Sequence, residues 1–81
     1  MATENIEATA VVDARGLLCP MPVVNTAKAM RQLEVGQVLR LISTDRGSVA
    51  DIPAWAESTG NLLVDSHEEA GEFVFTLKKG G

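Results

Sequence analysis

The chain has 81 residues, a formal net charge of −4 and one cysteine. This length and an ordinary hydrophobic content indicate one globular domain rather than a disordered chain. The acidic balance and the scattered basic residues argue against nucleic-acid binding, which needs a basic patch. We see no signal peptide and no run of membrane-spanning length, so we expect a cytoplasmic protein without membrane contact. A single cysteine excludes an internal disulfide.

The first half of the chain predicts a strand, a helix and a second strand. A short strand at 8–13 leads into a turn, where Gly16 can adopt a φ angle that other residues avoid. A helical pattern runs over 20–33, because apolar residues recur there at intervals of three and four. The alternating residues of 37–44 predict the second strand.

The next segment predicts a helix with an irregular start. Ser48 and Asp51 resemble a capping box, whereas Pro53 interrupts the pattern that follows. We therefore expect an irregular helical turn at 48–51 and then a helix that ends near Thr59. Its expected buried stripe consists of Val49, Ile52, Trp55 and Ala56.

The last part of the chain predicts a hairpin, with strands at 62–66 and 72–78 and a loop at 67–71. The element order is then βαβαββ. Right-handed crossovers place both helices on one face and make the first three strands parallel where they are neighbours. The predicted fold class is an α/β (α+β) two-layer sandwich, with a mixed four-stranded sheet under two helices.

We divide the chain into three parts. Residues 1–8 form a polar segment that we expect to be flexible, residues 9–79 form the single domain, and residues 80–81 form a flexible C-terminal tail.

The residues around Cys19 carry the most specific chemical signal. Pro20 and Pro22 follow the cysteine and a helical pattern begins behind them, while Gly16 and Leu18 shape the preceding turn. Cys19 is therefore expected at or just before a helix N-cap. The helix dipole would lower the pKa of its thiol below the usual ~8.5 and favour the thiolate. The alternative is a cysteine that acts only as a small buried apolar residue.

Several mechanisms are excluded by residue counts. There is no Cys-x-x-Cys pair for thiol exchange within the chain. One cysteine and one histidine, His67, are too few for a zinc site made by the protein alone. His67 falls in or beside the predicted hairpin loop, where we interpret it as a solvated side chain. We expect neither a metal nor a cofactor.

Two motifs resemble a known family. The stretch Gly-Leu-Leu-Cys-Pro-Met-Pro at 16–22 resembles the Cys-Pro-x-Pro signature of the TusA/SirA family of sulfur carriers. The stretch Asp-Ile-Pro-Ala-Trp at 51–55 resembles the second motif of that family. The resemblance extends from about Val12 to Lys79, nearly the whole chain, and the family has the fold predicted above.

The resemblance implies a sulfurtransferase that holds sulfane sulfur as a persulfide on Cys19. A cysteine desulfurase or a rhodanese-like enzyme would load the sulfur, and a protein with a reactive cysteine would accept it. The pathway would be tRNA thiolation, cofactor synthesis or sulfur oxidation.

Five charged residues are further candidates for the surroundings of the site or for partner contacts. Asp13 could accept hydrogen bonds from the loop that carries Cys19, although an ordinary turn aspartate is the simpler interpretation. Arg15 could contact an acidic partner, and Arg46 is a weaker candidate for the same role. The family resemblance adds Asp45 and Asp51, and Asp51 is also explained as a first-turn aspartate favoured by the helix dipole.

Two other functions remain open from the sequence. The C-terminal Gly80-Gly81 resembles the tail of ubiquitin-like carriers, which hold sulfur as a thiocarboxylate, but those proteins begin with a β-hairpin. Alternatively, the domain could be a non-enzymatic regulatory or protein-binding module. RNA binding would rest on fold analogy alone, and the acidic balance opposes it.

Overall fold

The structure is a computed structural model, and it describes residues 8–81. We expect the N-terminal segment, residues 1–8, to be flexible, and residues 1–7 of it lie outside the described range. The elements are β1 (Ala10–Ala14), α1 (Met21–Arg31), β2 (Val38–Ser43), α2 (Ser48–Thr59), β3 (Leu62–Glu69) and β4 (Glu72–Lys78). Their order is the predicted βαβαββ. Within residues 8–81, neither helix is long and apolar enough to cross a membrane.

The four strands form a mixed sheet in the order β1-β2-β4-β3, which confirms the predicted fold class. β1 runs parallel to β2, and their last paired residues are Ala14 and Ser43. β4 lies between β2 and β3 and is antiparallel to both. The final hairpin therefore folds back so that its second strand, and not its first, pairs with β2.

One face of the sheet packs against both helices. The buried apolar side chains of this face include Leu39 and Leu41 of β2 and Phe75 and Leu77 of β4, because alternate residues of a strand point to the same face. This face meets Ile52 of α2 in a single apolar cluster. The full core comprises Ala14, Met30, Leu33, Leu39, Leu41, Ile52, Ala56, Phe73, Phe75 and Leu77.

The start of α2 differs from the prediction. A single helix runs from Ser48 to Thr59 with Pro53 inside it, and its N-cap is Gly47. Proline at this position costs one hydrogen bond, to the carbonyl of Val49, and Val49 is 47% exposed, so solvent can take the place of that bond. The helix thus continues through the proline.

The expected capping box and buried stripe of α2 need correction. Ser48 makes no capping hydrogen bond; its hydroxyl is buried and lies 2.7 Å from the hydroxyl of Ser43. Ile52 and Ala56 are buried as predicted, whereas Val49 faces solvent and Trp55 is only partly buried. The buried stripe therefore begins with Ser48, one residue earlier than expected.

The final hairpin is tighter than predicted. β3 continues to Glu69 and β4 starts at Glu72, so the turn consists of Ala70 and Gly71, with φ angles of 52° and 82°. Two central residues with positive φ define the turn that suits the twist of a two-residue hairpin. His67 therefore lies in β3 and not in a loop, and its Nδ1 is 2.9 Å from Asp65 Oδ2.

The C-terminus is held by the fold as far as Gly80. The backbone N–H of Gly80 donates to Asn61 Oδ1 at 2.9 Å, and the N–H of Lys79 donates to the carbonyl of Gln37. A Cβ atom at position 80 would overlap with the carbonyl oxygen of Gly60. Close packing thus explains one of the two terminal glycines, and a flexible tail remains expected only for Gly81.

The Gly80→Ala variant should be less stable than the native chain by about 1–3 kcal/mol, because the new methyl group forces the Gly60 backbone to shift. Gly81→Ala is the matched control, since a Cβ there meets only Val35 Cγ1 at an ordinary 3.8 Å. Urea unfolding of both variants measures the difference. Equal stability of the two variants would contradict the packing described at Gly80.

Thr26 of α1 offers a second test, because its hydroxyl is buried and has no hydrogen-bond partner among the described residues. Thr26→Val keeps the shape and removes the unsatisfied oxygen, so we expect a gain in unfolding free energy of about 1 kcal/mol. Thr26→Ala empties the same space and should lose about 1 kcal/mol. A loss in both variants would show that the hydroxyl contributes to stability.

Candidate functional site

The candidate site is built from two loops that lie side by side. Because β1 and β2 are parallel neighbours, the loops that follow them leave the sheet at the same edge. The first loop carries Gly16 with a φ angle of +81°, as predicted for this turn. The N–H of Gly16 donates to Thr44 Oγ1 in the second loop at 2.9 Å. This hydrogen bond joins the two loops.

Cys19 stands at the end of the first loop, immediately before α1. It is a free, exposed thiol, and the N-cap of α1 is Pro20, as the sequence predicted. The Cys19–Pro20 peptide bond is cis. Pro22 lies in the first turn of the helix and its side chain is fully buried, whereas Leu18 is 71% exposed. The buried proline thus anchors the helix end that displays the cysteine.

Two carboxylates hold Cys19, one from the second loop and one from the start of α2. The backbone N–H of Cys19 donates to Asp45 Oδ2 at 3.0 Å, and its S–H donates to Asp51 Oδ2, also at 3.0 Å. Asp45 belongs to the loop after β2, and Asp51 belongs to the first turn of α2. Gly47 lies between them, and a Cβ there would come within 3.1 Å of Asp45 Oδ2. The structure therefore brings together Cys19, Asp45 and Asp51.

The electrostatic environment of the cysteine reverses the sequence-based prediction. The hydrogen bond to Asp51 raises the pKa of the Cys19 thiol above its usual value, and desolvation and the charges of Asp51 and Asp45 act in the same direction. The prediction of a lowered pKa is wrong. In the resting protein, Cys19 is a protonated thiol that donates to a carboxylate.

The N-terminus of α1 has few free donors to oppose this effect. The N–H of Met21 donates to the carbonyl of Leu18, and the N–H of Val24 donates to that of Pro20. Pro22 has no N–H. At most the N–H of Val23 remains for the sulfur in this turn. The two prolines and the tight turn thus remove most of the donors from which a lowered pKa was expected.

The other charged candidates lie outside these contacts. Asp13 accepts hydrogen bonds from the backbone N–H and the guanidinium of Arg15, the first residue of the loop that carries Cys19, as the sequence predicted. These bonds lower the pKa of Asp13 to about 2. Arg15 also reaches Glu72, and Arg46 lies over the ring of Phe73, 5.7 Å from its centroid. The structure gives both arginines intramolecular partners.

Sequence reasoning did not single out the residues that shape the second loop. The Ser43 hydroxyl accepts the N–H of Asp45 and bonds to Ser48, while Thr44 holds Gly16. A signal for them was available, because neighbouring parallel strands bring their carboxyl ends to one crevice. The predicted topology therefore indicates that side chains in the segment after β2 lie near Cys19.

Several apolar side chains near the cysteine and near Asp51 in the sequence are exposed. Leu18, Met21 and Val24 flank Cys19 in sequence and are 71%, 42% and 37% exposed, and Val49 lies two residues before Asp51. A groove of about 220 Å³ between the C-terminal halves of the helices includes none of these residues. Among residues 8–81, no three His, Cys, Asp or Glu side chains are grouped so as to hold a metal ion.

Comparison with known proteins supports one family throughout. The model of the family described as "Sulfurtransferase TusA" matches residues 10–79. The sulfur carrier protein TusA of Allochromatium vinosum is 48% identical over 68 residues, which cover 84% of this chain and 90% of that protein. A crystal structure of a SirA-like protein from Desulfitobacterium hafniense superposes with a TM-score of 0.78 at 27% identity, covering 89% of this chain and 99% of that one.

Other relatives are longer than this chain. The putative sulfur carrier protein YrkF of Bacillus subtilis is 47% identical over 76 residues, which are 94% of this chain but 41% of that protein. A putative sulfur carrier protein of Aquifex aeolicus is covered to 39%. The chain thus spans about two fifths of the length of these two relatives. The match of the family model to residues 10–79 and the similarity to these sulfur carrier proteins show that the chain belongs to the TusA family of sulfur carriers.

Proposed function

We propose that this protein carries sulfane sulfur as a persulfide on Cys19 and passes it to a partner protein. The observation that carries the proposal is the exposed, free thiol of Cys19 in a chain that has no other cysteine. One exposed thiol can take and give one sulfur atom, and it cannot resolve the persulfide into an internal disulfide. This chemistry fits a family of sulfur carriers.

The proposed loading step is an exchange between two sulfur atoms. The sulfur of Cys19 attacks the terminal sulfur of a donor persulfide, R–S–SH. The donor S–S bond breaks as the new S–S bond forms on Cys19. The electron pair stays on the donor sulfur, which leaves as R–SH after it takes up the proton lost by Cys19. The reverse attack, by an acceptor thiol on the loaded Cys19, unloads the sulfur, so neither step needs an oxidant or a cofactor.

The surface around Cys19 supports docking of such partners. The exposed side chains of Leu18 and Met21, next to Cys19 in the sequence, provide apolar contact area beside the thiol. The buried Pro22 and the hydrogen bond from Cys19 to Asp45 hold the loop in place, so a partner loses little conformational entropy by ordering it. A thiol that is exposed and lies outside the interhelical groove suits transfer between proteins.

Donor and acceptor are proposed by chemical class. The donor is a cysteine desulfurase or a rhodanese-like enzyme, and the acceptor is a protein with a reactive cysteine. These steps would serve tRNA thiolation, cofactor synthesis or sulfur oxidation, in the cytoplasm. The protein acts as a sulfurtransferase that is reloaded in every cycle.

Intact-protein mass spectrometry tests this function. After incubation with a cysteine desulfurase and cysteine without reductant, the native protein should gain one sulfur atom, and a small thiol should remove it. Cys19→Ser should gain nothing, because no other thiol is present. Removal of Gly81 alone is the matched control for the diglycine hypothesis. It leaves the contacts of Gly80 in place and should not affect loading.

The remaining outcomes decide between the alternatives. No gain with the desulfurase, and none with a rhodanese and thiosulfate, would contradict sulfur carriage on Cys19 and favour the regulatory or protein-binding module. A gain that survives Cys19→Ser and disappears when Gly81 is removed would favour a thiocarboxylate at the C-terminus.

A further inference from the structure

The sulfur of Cys19 is exposed on one side and faces acidic groups on the other. From α2, Asp51 Oδ2 lies 3.0 Å from Sγ, and from the loop after β2, Asp45 Oδ2 accepts the Cys19 N–H. The first turn of α1 contributes no acidic residue. On the loop of Cys19 itself, the guanidinium of Arg15 is engaged by Asp13 and Glu72. The groups that act on the thiol are therefore carboxylates.

This arrangement is unusual for a cysteine that has to act as a nucleophile. The thiolate is the reactive form of cysteine, and reactive cysteines are commonly found next to Lys, Arg or His, or at a helix N-terminus with free N–H groups. Here the first turn of α1 has few free donors, and the polar group nearest to the sulfur is an anion. The contact with Asp51 stabilises the S–H bond and opposes the thiolate.

On the basis of the proposed sulfur-carrier function, we propose that Asp51 is a positioning residue that keeps the unloaded Cys19 as a hydrogen-bonded thiol and so restrains its reaction with small electrophiles. Asp45 assists by fixing the backbone at Cys19 and by adding negative charge. The exposed cysteine is then protected in solution. A docked partner that moves Asp51 away from Sγ, or neutralises its charge, releases the thiolate where sulfur is exchanged.

The restraint also fits the atom balance of loading. Before the exchange, the proton is on Sγ, which donates it in a hydrogen bond to Asp51 Oδ2 at 3.0 Å. During the exchange, Cys19 loses this proton and the donor sulfur gains one, so the number of protons does not change. Asp51 controls when the proton leaves the sulfur and is not consumed. Its role therefore differs from that of a general base, which would accelerate the reaction in the absence of a partner.

Alkylation by iodoacetamide distinguishes these roles, because it needs no partner and no persulfide. In Asp51→Asn, an amide oxygen of the same shape can still accept the S–H while the charge is lost. The pH midpoint of alkylation should fall and the rate at neutral pH should rise. For each unit by which the pKa falls, the thiolate becomes about tenfold more abundant. Because nucleophilicity falls with the pKa, each thiolate reacts about threefold more slowly, so the rate of alkylation rises by about threefold for each unit.

The other variants give the proposal its internal controls. Asp45→Asn should shift the midpoint in the same direction by less, because Asp45 bonds to the backbone and not to Sγ. Asp51→Glu should restore a midpoint closer to that of the native protein. Glu57→Gln, which removes an exposed charge further along α2, should leave the midpoint unchanged. Circular dichroism and urea unfolding show whether each variant is folded.

Two results would overturn the proposal. If alkylation of folded Asp51→Asn became slower at neutral pH, Asp51 would be an activating base. If the pH profile did not move, its contact with Sγ would be only structural. Sulfur loading of the same variants by mass spectrometry separates this inference from the proposed function. Native protein that never gains sulfur overturns the function whatever the alkylation profile shows.

Discussion

The parallel pairing of β1 with β2 is the constraint on which the site depends. It ends at Ala14 and Ser43, so the two following loops leave the sheet next to each other. Two contacts then join these loops, Gly16 to Thr44 and the backbone of Cys19 to Asp45, and a third joins the sulfur to Asp51 at the start of α2. The core under the helices holds the two strands in register. A change that disturbed this pairing would separate the cysteine from both carboxylates.

Two opposing influences act on the cysteine, and their balance sets its resting state. A helix N-terminus favours an anion through its free N–H groups and its dipole. In α1 this influence is weakened, because two prolines lack an N–H and the N–H groups of Met21 and Val24 have acceptors. The carboxylate of Asp51 acts at hydrogen-bond distance and raises the pKa of the thiol. The direct contact therefore outweighs the dipole, and Cys19 is exposed but protonated. A sulfur carrier of this kind would be selective because its reactivity depends on docking.

The sequence was informative where a pattern repeats and uninformative where two distant segments meet. Alternation at Phe73, Phe75 and Leu77 predicted the buried face, and the element order followed from such patterns. The continuation of α2 through Pro53 could not be read from the sequence, since it depends on the exposure of the preceding turn. The shift in the pKa of Cys19 was predicted in the wrong direction, because that direction depends on contacts with Asp45 and Asp51, which lie 26 and 32 residues further along the chain. The cysteine itself was identified from the residues next to it in the sequence, whereas Asp45 and Asp51 were candidates only through the family resemblance.

Locating the transferred sulfur decides whether Cys19 is the residue that carries it. The protein is loaded by a cysteine desulfurase with isotope-labelled cysteine and digested with trypsin without reductant. The tryptic peptide of residues 16–28 contains Cys19, and the C-terminal fragment is residues 80–81. We expect the label in the peptide of residues 16–28, on the sulfur of Cys19, and we expect a small thiol to release it. Label on residues 80–81, or on neither peptide, would contradict this expectation.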